Sequence, residues 1–299
     1  MFASLPQHLL LILIDLNMTY SYNSYDMATK NSANETTSNC PDPREMMDIP
    51  RPIVTMAKEF PPGHLIEFHR HTRSQLLYAS SGVMTVTTDG DIWVVPPLRA
   101  VWIPAHTRHQ INVSGHLSMR TLYIKPESFP DAPSACCVVG VSPLLRELIL
   151  HAVELPPLYP LNGPEERIMK VIMDQIRHMD ISPLRLPVPK RKRLGELFCR
   201  LSENPGDKRT LEAWGKHVGA TRRTLTRLFQ SETGMSFGQW RQQIRILESL
   251  RRLAGNESVT SIAIDLGYDS PSAFISMFKK AMGRTPGQYF SVGDNKKYP

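Results

Sequence analysis

Cysteine is scarce and badly placed for cross-linking: the 299 residues hold four, Cys40, Cys136, Cys137 and Cys199, with no CxxC pair and no framework spacing. A disulfide scaffold is excluded on that count. Long apolar runs are also lacking. The longest, Leu9–Ile14, stops at Asp15, far short of the ~18–20 residues that a membrane helix requires. No Lys or Arg precedes it, and it falls below the roughly 7–15 apolar residues of a signal peptide core. These absences predict a cytoplasmic, reducing compartment and no membrane partner. Acidic residues are short in one region only. Residues 185–299 carry 21 Lys+Arg against 10 Asp+Glu, whereas residues 1–184 carry 14 against 18. A basic C-terminal third joined to an acidic remainder is the footprint of a module that binds a polyanion.

What is present divides the chain. Asn17–Pro43 is rich in Asn, Ser, Thr and Tyr and poor in aliphatics, which predicts a disordered N-terminal extension over 1–48. From Ile53 to Lys125, short β-type runs such as Gln75–Ala79, Val83–Thr87 and Ala100–Ile103 are separated by Pro and Gly turns, predicting a small β-barrel or sandwich over 49–130. Pro143–Val153 and Glu165–Met179 have apolar residues at helical spacing, so 131–189 reads as a helical linker or dimerisation region. The basic run Lys190–Arg193 opens the last domain, 190–299.

That domain repeats itself at an offset of 49 residues. Leu225, Phe229, Gly234, Ser236, Gly238, Gln239 and Trp240 align with Phe274, Phe278, Gly283, Thr285, Gly287, Gln288 and Tyr289. Upstream of each copy lies a helix–turn–helix pattern: helix Leu211–His217 with a turn at Gly219, and helix Val259–Asp265 with a turn at Gly267. Small residues, Gly215 and Ala263, precede each turn by four positions, where two helices are expected to cross closely. Phe237–Leu253 reads as one long helix joining the copies, capped by Ser236 and ended by Gly255.

With the segment Ile262–Pro286, these features resemble the AraC/XylS family of transcription regulators over roughly residues 190–290. The resemblance implies double-stranded DNA as partner. In the first recognition helix Leu225 and Phe229 face inward, which turns Arg222, Arg223, Thr226 and Arg227 toward base edges. The second helix offers Ser270, Ser272, Ala273 and Ser276, with Lys279 and Lys280 behind, and is expected to position more than to specify.

The first domain carries Gly63-x5-His69-x-His71-x3-Gln75-x6-Gly82, similar to the first cupin motif but with Gln in place of the usual Glu. A partial second motif follows, Pro104-x-His106-x2-His109, with His106 where the motif has Gly. The resemblance implies that His69, His71, Gln75 and His109 converge as ligands of a divalent ion such as Fe, Mn, Ni or Zn. The alternative is a metal-free pocket for a small organic effector lined by the same residues. Longer runs, including Phe60–His64, Gln75–Met84 and Arg99–Ala105, are similar to the cupin-bearing subgroup of AraC regulators.

The chain is therefore expected to be α+β, an N-terminal cupin β-barrel followed by an all-α domain with two helix–turn–helix units. The implied function is sequence-specific transcriptional regulation without enzymatic activity, at the nucleoid. A small-molecule effector, a homodimer and, for an activator, RNA polymerase are the implied partners. The rival is a metal-dependent cupin enzyme of the dioxygenase or isomerase class with secondary DNA binding; the Gln at position 75 and the His at 106 weigh against it.

Overall fold

Strands form where alternate residues find apolar cover on both sides of the chain, and Ser74–Thr88 (β3) is the clearest case. In the computed structural model, which describes residues 46–294, Leu77 and Ala79 join Val101, Ile103 and Tyr123 in one apolar cluster, while Leu76 and Tyr78 join Trp102 and Leu122 in another. The first cluster fills the barrel and the second lies outside it. The other strands are β1 (Ile53–Phe60), β2 (Leu65–His69), β4 (Asp91–Val95), β5 (Arg99–Ile103), β6 (His109–Ile124), β7 (Cys137–Gly140), β8 (Ile181–Ser182) and β9 (Arg185–Pro187). They make one antiparallel sheet of order β1-β6-β3-β5-β7-β8, with β2 on β6 and the pair β4–β9 on β3.

β3 and β6 each serve several partners because they bend. β3 pairs with β5 through Gln75–Tyr78 and with β4 through Met84–Thr87. β6 pairs with β2 near His109 and with β1 from Leu117 to Ile124. Between these stretches lie Gly82 (φ +77°) and Gly115 (φ +73°). A Cβ at Gly82 would come within 2.2 Å of the His116 carbonyl oxygen, so both the backbone angle and the close approach call for glycine.

The outer apolar cluster is covered by a hairpin of α1 (Pro143–Ala152) and α2 (Pro164–Arg177), through Leu145, Ile149, Ile172 and Met173. Two expectations are corrected here. The region 131–189 is not only a helical linker: β7, β8 and β9 lie within it and extend the barrel sheet, so the boundary at 130 falls inside the barrel domain. Runs of two to four residues are too short for alternation to be visible in sequence. The extension expected over 1–48 lies outside the described residues up to position 45, but Met46 is 1% exposed and packs into the barrel core.

The helical domain comprises α3 (Lys192–Glu203), α4 (Leu211–His217), α5 (Arg222–Thr233), α6 (Phe237–Ala254), α7 (Val259–Asp265), α8 (Pro271–Met282) and α9 (Pro286–Asp294). Thr210, Thr221, Ser236, Ser258 and Ser270 each cap a helix by accepting a backbone N–H from its first turn. Gly219 and Gly267 take positive φ at the two turns, as expected. Gly215 has a different reason to be small: a Cβ there would lie 2.4 Å from the Ala220 carbonyl oxygen, in the turn rather than on a crossing helix.

The two domains share a boundary. Thr85, Ile92, Val94 and Leu186 on the barrel face Phe198, Ile244 and Leu247 around a cavity of about 50 Å³. The Gln243 side-chain amide donates to the Pro183 carbonyl at 2.6 Å, and the Trp240 indole N–H donates to the Pro187 carbonyl at 3.2 Å.

Arg73 is 1% exposed, and its guanidinium donates to the carbonyls of Met47, Arg51 and Ile49 at 3.1, 2.8 and 2.5 Å. It ties the chain entering β1 to the barrel. Arg73→Met keeps the stem but leaves three carbonyls without that donor, at a cost of about 1–3 kcal/mol for each one kept from water. We expect urea unfolding to register a loss of at least about 2 kcal/mol; a change below about 0.5 kcal/mol means that water replaces the guanidinium.

Candidate functional site

Three histidines meet at one end of the barrel. His69 ends β2 and pairs across the ladder with His109, the first residue of β6; His71 lies in the link to β3. Their ring centroids are 4.3 to 5.9 Å apart, and one nitrogen from each lies within 4.8 Å of the others. His69 and His71 are half-buried and His109 is fully buried, so the cluster has one open side. The structure thus brings together all four residues expected of the first domain, Gln75 included.

Hydrogen bonding sets the chemistry of the rings. The Nδ1 atoms of His69, His71 and His109 bond the backbone carbonyls of Glu67, Arg73 and Thr107 at 2.8, 2.7 and 2.9 Å. A carbonyl only accepts, so each Nδ1 carries a proton, and the neutral form of each ring keeps its lone pair on Nε2. His109 Nε2 is buried without a hydrogen-bond partner. His71 Nε2 lies 3.0 Å from Gln75 Oε1. Two lone pairs face each other there when a cation lies between them, unless the amide is turned to donate through its nitrogen. The donor set therefore fits a divalent ion of borderline softness.

The loop before His109 is strained to make this possible. His106, where the similar motif has Gly, takes φ +63°, and its N–H donates to the His71 carbonyl at 2.8 Å. Tyr123, which the sequence reading did not single out, meets the His71 ring edge-on at 5.1 Å. Its signal was its place on β6 opposite Gln75, visible only once the register is known. Tyr78 and Trp102 belong to the outer apolar cluster, and Arg120 pairs with Glu59 at 2.8 Å; none lines the histidine cluster.

The second candidate surface lies on the helical domain. Arg222, Arg223, Thr226 and Arg227 are all exposed on α5, while Leu225, Leu228 and Phe229 are buried. Gln230 and Ser231, one turn further on, are exposed beside them on the same helix. Gln230 was missed by sequence reading, although its spacing of four from Thr226 places it on the same face. Arg222 donates to Glu212 of α4 at 2.7 Å. On α8, Ser272, Ala273, Ser276, Lys279 and Lys280 are exposed, whereas Ser270 is half-buried and its hydroxyl oxygen accepts the Ala273 N–H at 3.2 Å.

Comparison with known proteins assigns both regions. Residues 57–153 match the AraC-like ligand binding domain and residues 214–291 match a helix-turn-helix domain. The HTH-type transcriptional regulator NimR of Escherichia coli K12 is 35% identical over 223 residues, spanning 75% of this chain and 81% of the relative. The chain belongs to the AraC family of transcriptional regulators. This regulator is also 32% identical to RipA of Corynebacterium glutamicum over 104 residues, 35% of this chain and 31% of that one. Among solved structures, ToxT of Vibrio cholerae O395 matches over 82% of the regulator and 99% of its own chain, at 12% identity and a TM-score of 0.36. The regulator pairs a helix–turn–helix DNA-binding domain with a ligand-binding domain, and the fold class is the expected α+β. Among the described residues no helix is long and apolar enough to cross a membrane.

Burial holds His71 below the usual histidine range and His109 at about 3. The His109 ring is neutral in the fold at mildly acid pH, whereas histidines of the unfolded chain titrate near 6.5. Between these values the unfolded state binds more protons, so the contribution to stability is complete above about pH 6.5 and is lost as pH falls toward 3. From His109 alone the expected loss between pH 7 and 5 is about 2 kcal/mol. Urea unfolding in the presence of chelator at these two pH values checks this: His109→Leu should flatten the dependence, and equal slopes in the two proteins would contradict it.

Proposed function

We propose that this regulator senses a divalent metal ion at His69, His71 and His109, with Gln75 as fourth ligand, and reads double-stranded DNA with two unequal heads. The observation that carries the first half is the shared tautomer: three Nδ1–H groups are committed to backbone carbonyls, leaving three Nε2 lone pairs around one space. Neutral imidazoles and an amide suit Fe, Mn, Ni or Zn. Gln75 brings no charge and cannot take up a proton as a glutamate would, which favours a sensor over a catalyst. The enzyme reading has no comparable support.

The DNA reading rests on exposure and charge. Arg222, Arg223, Thr226 and Arg227 are exposed on the outer face of α5, Arg222 in an ion pair with Glu212, and a guanidinium there can be bidentate to guanine. The α8 face offers short neutral side chains, with Lys279 and Lys280 as phosphate contacts. Ser270 serves as the N-cap and leaves base reading to its neighbours. In this reading the regulator acts in the cytoplasm, at the nucleoid. Its partners are operator DNA, a small effector, a second copy of the chain and, in activation, RNA polymerase.

Two experiments test the two halves. Arg223→Ala is expected to weaken binding to a duplex selected from a random pool by about 10–100-fold and to relax preference at one base pair. Lys279→Ala should instead weaken all duplexes alike and lower the slope of log affinity on log salt by about 1. Unchanged base preference in Arg223→Ala would remove it from the reading face. For the metal, the wild type is expected to take up about one equivalent of Zn²⁺ or Mn²⁺ in elemental analysis and the double variant His69→Ala/His71→Ala none. A wild type that stays metal-free after incubation with Fe, Mn, Ni and Zn contradicts the metal reading.

A further inference from the structure

We infer that Glu212 is a specificity-determining residue of the first head: it holds the Arg222 guanidinium for a base edge and turns it away from phosphate. The inference rests on the DNA reading above and names the residue that makes one of its arginines selective. Of the three arginines on the outer face of α5, Arg222 alone has an ion-pair partner among the described residues. Its Nη1 donates to Glu212 Oε1 at 2.7 Å, linking the first residue of α5 to the second residue of α4. The two side chains are 71% and 50% exposed, so the pair adds little to folding stability. A carboxylate beside a DNA-reading face also repels the phosphates that the face must approach. Its presence there has to be explained by something other than stability or affinity.

The carboxylate is itself anchored. The backbone N–H of Glu212, the Thr210 hydroxyl and Arg222 together hold its carboxyl below the usual carboxylate range, so it is ionised at neutral pH. Arginine carries its N–H donors in a rigid fork. With Nη1 on Glu212, the edge formed by Nε and Nη2 is left without a hydrogen-bond partner among the described residues. That edge is a parallel pair of donors, the pattern that guanine O6 and N7 accept. An arginine with no partner samples many rotamers and settles on any phosphate within reach. A guanidinium already beside a carboxylate gains less from phosphate, and the carboxylate repels the phosphate directly. Selectivity then comes from a repulsive element as much as from an attractive one.

The second head supplies the comparison. α7 and α8 begin after the caps Ser258 and Ser270, as α4 and α5 begin after Thr210 and Thr221. The position that matches Glu212 is Thr260, and the position that matches Arg222 is Pro271. Carboxylate and guanidinium are lost together. The helix–turn–helix geometry does not need the pair, because the second head forms without either member. The pair belongs to the head whose exposed face is rich in arginine.

The test uses the full chain and duplexes selected from a random pool. Arg222→Ala first identifies the base pair at which preference is lost. At that base pair Glu212→Ala is expected to lower discrimination by about 3–10-fold, the cost of ordering a free arginine. It should also raise affinity for unrelated duplex by about 2–5-fold, since a negative charge leaves the interface. Affinity and selectivity moving in opposite directions is a signature that disruption of α4 would not give. Glu212→Gln, which keeps the shape and removes the charge, should move both readouts the same way, and it stands in if Glu212→Ala loses its cooperative melt. In the Arg222→Ala background, Glu212→Ala should change discrimination at that base pair by less than about 1.5-fold. Full discrimination in Glu212→Ala overturns the inference and leaves the DNA reading standing, and so does a loss that persists in the Arg222→Ala background. Weaker binding to all duplexes alike marks a structural role and overturns it too. If Arg222→Ala keeps every base preference, Arg222 leaves the reading face and the role of Glu212 falls with it.

Discussion

Helix α6 is apolar around more of its circumference than one partner could cover, and the architecture follows from that constraint. Trp240 packs against Phe198 and Phe229 inside the helical domain, while Ile244 and Leu247 face the barrel at Ile92, Val94 and Leu186. Burying each of these aliphatic side chains contributes about 1.5–3 kcal/mol. A stripe of about 100° is what a helix presents to one core, and the buried positions of α6, which include Ile246 and Ser249 as well as Trp240 and Ile244, spread well beyond it. The strut between the heads is thus also the surface on which the sensor domain docks, and no separate linker geometry is needed to bring the domains together.

The histidine cluster illustrates how backbone geometry can prepare a binding site before any ligand arrives. None of the three rings owes its tautomer to another side chain; each is set by a carbonyl two residues away. Burial then disfavours the charged form of His71 and His109. The strain at His106, with φ +63°, sits in the loop whose N–H holds His71 in place. His109 Nε2 is buried with no hydrogen-bond partner among the described residues, so its lone pair is the one that an ion seated among the three rings would satisfy.

The heads share a repeat but differ in what they present. Their caps, turn glycines and aromatic cores correspond position by position, because those residues serve the helix–turn–helix geometry itself. The exposed faces do not correspond. Arginines crowd α5, and serines and alanine occupy α8, because solvent-facing positions carry no packing constraint and are free to follow the DNA.

Local chemistry was legible from sequence. The bounds of α4 and α7, the cap Ser236, the turn glycines and the buried face of α5 all follow from spacing within a dozen residues. So did the convergence of His69, His71, Gln75 and His109, though only through resemblance to a known motif. What depended on partners distant in the chain was not legible. Strands β7–β9 are too short for a pattern and exist because β5 and β4 offer them open edges. Arg73 reads as one more surface charge until three carbonyls from 47 to 51 close over it. Gly115 reads as a turn residue until Ala254, 139 positions later, lies against it. Periodicity, capping and turn chemistry act between neighbours and are written in order along the chain. Cover, edge pairing and close approach act between surfaces, and only the folded chain brings those surfaces together.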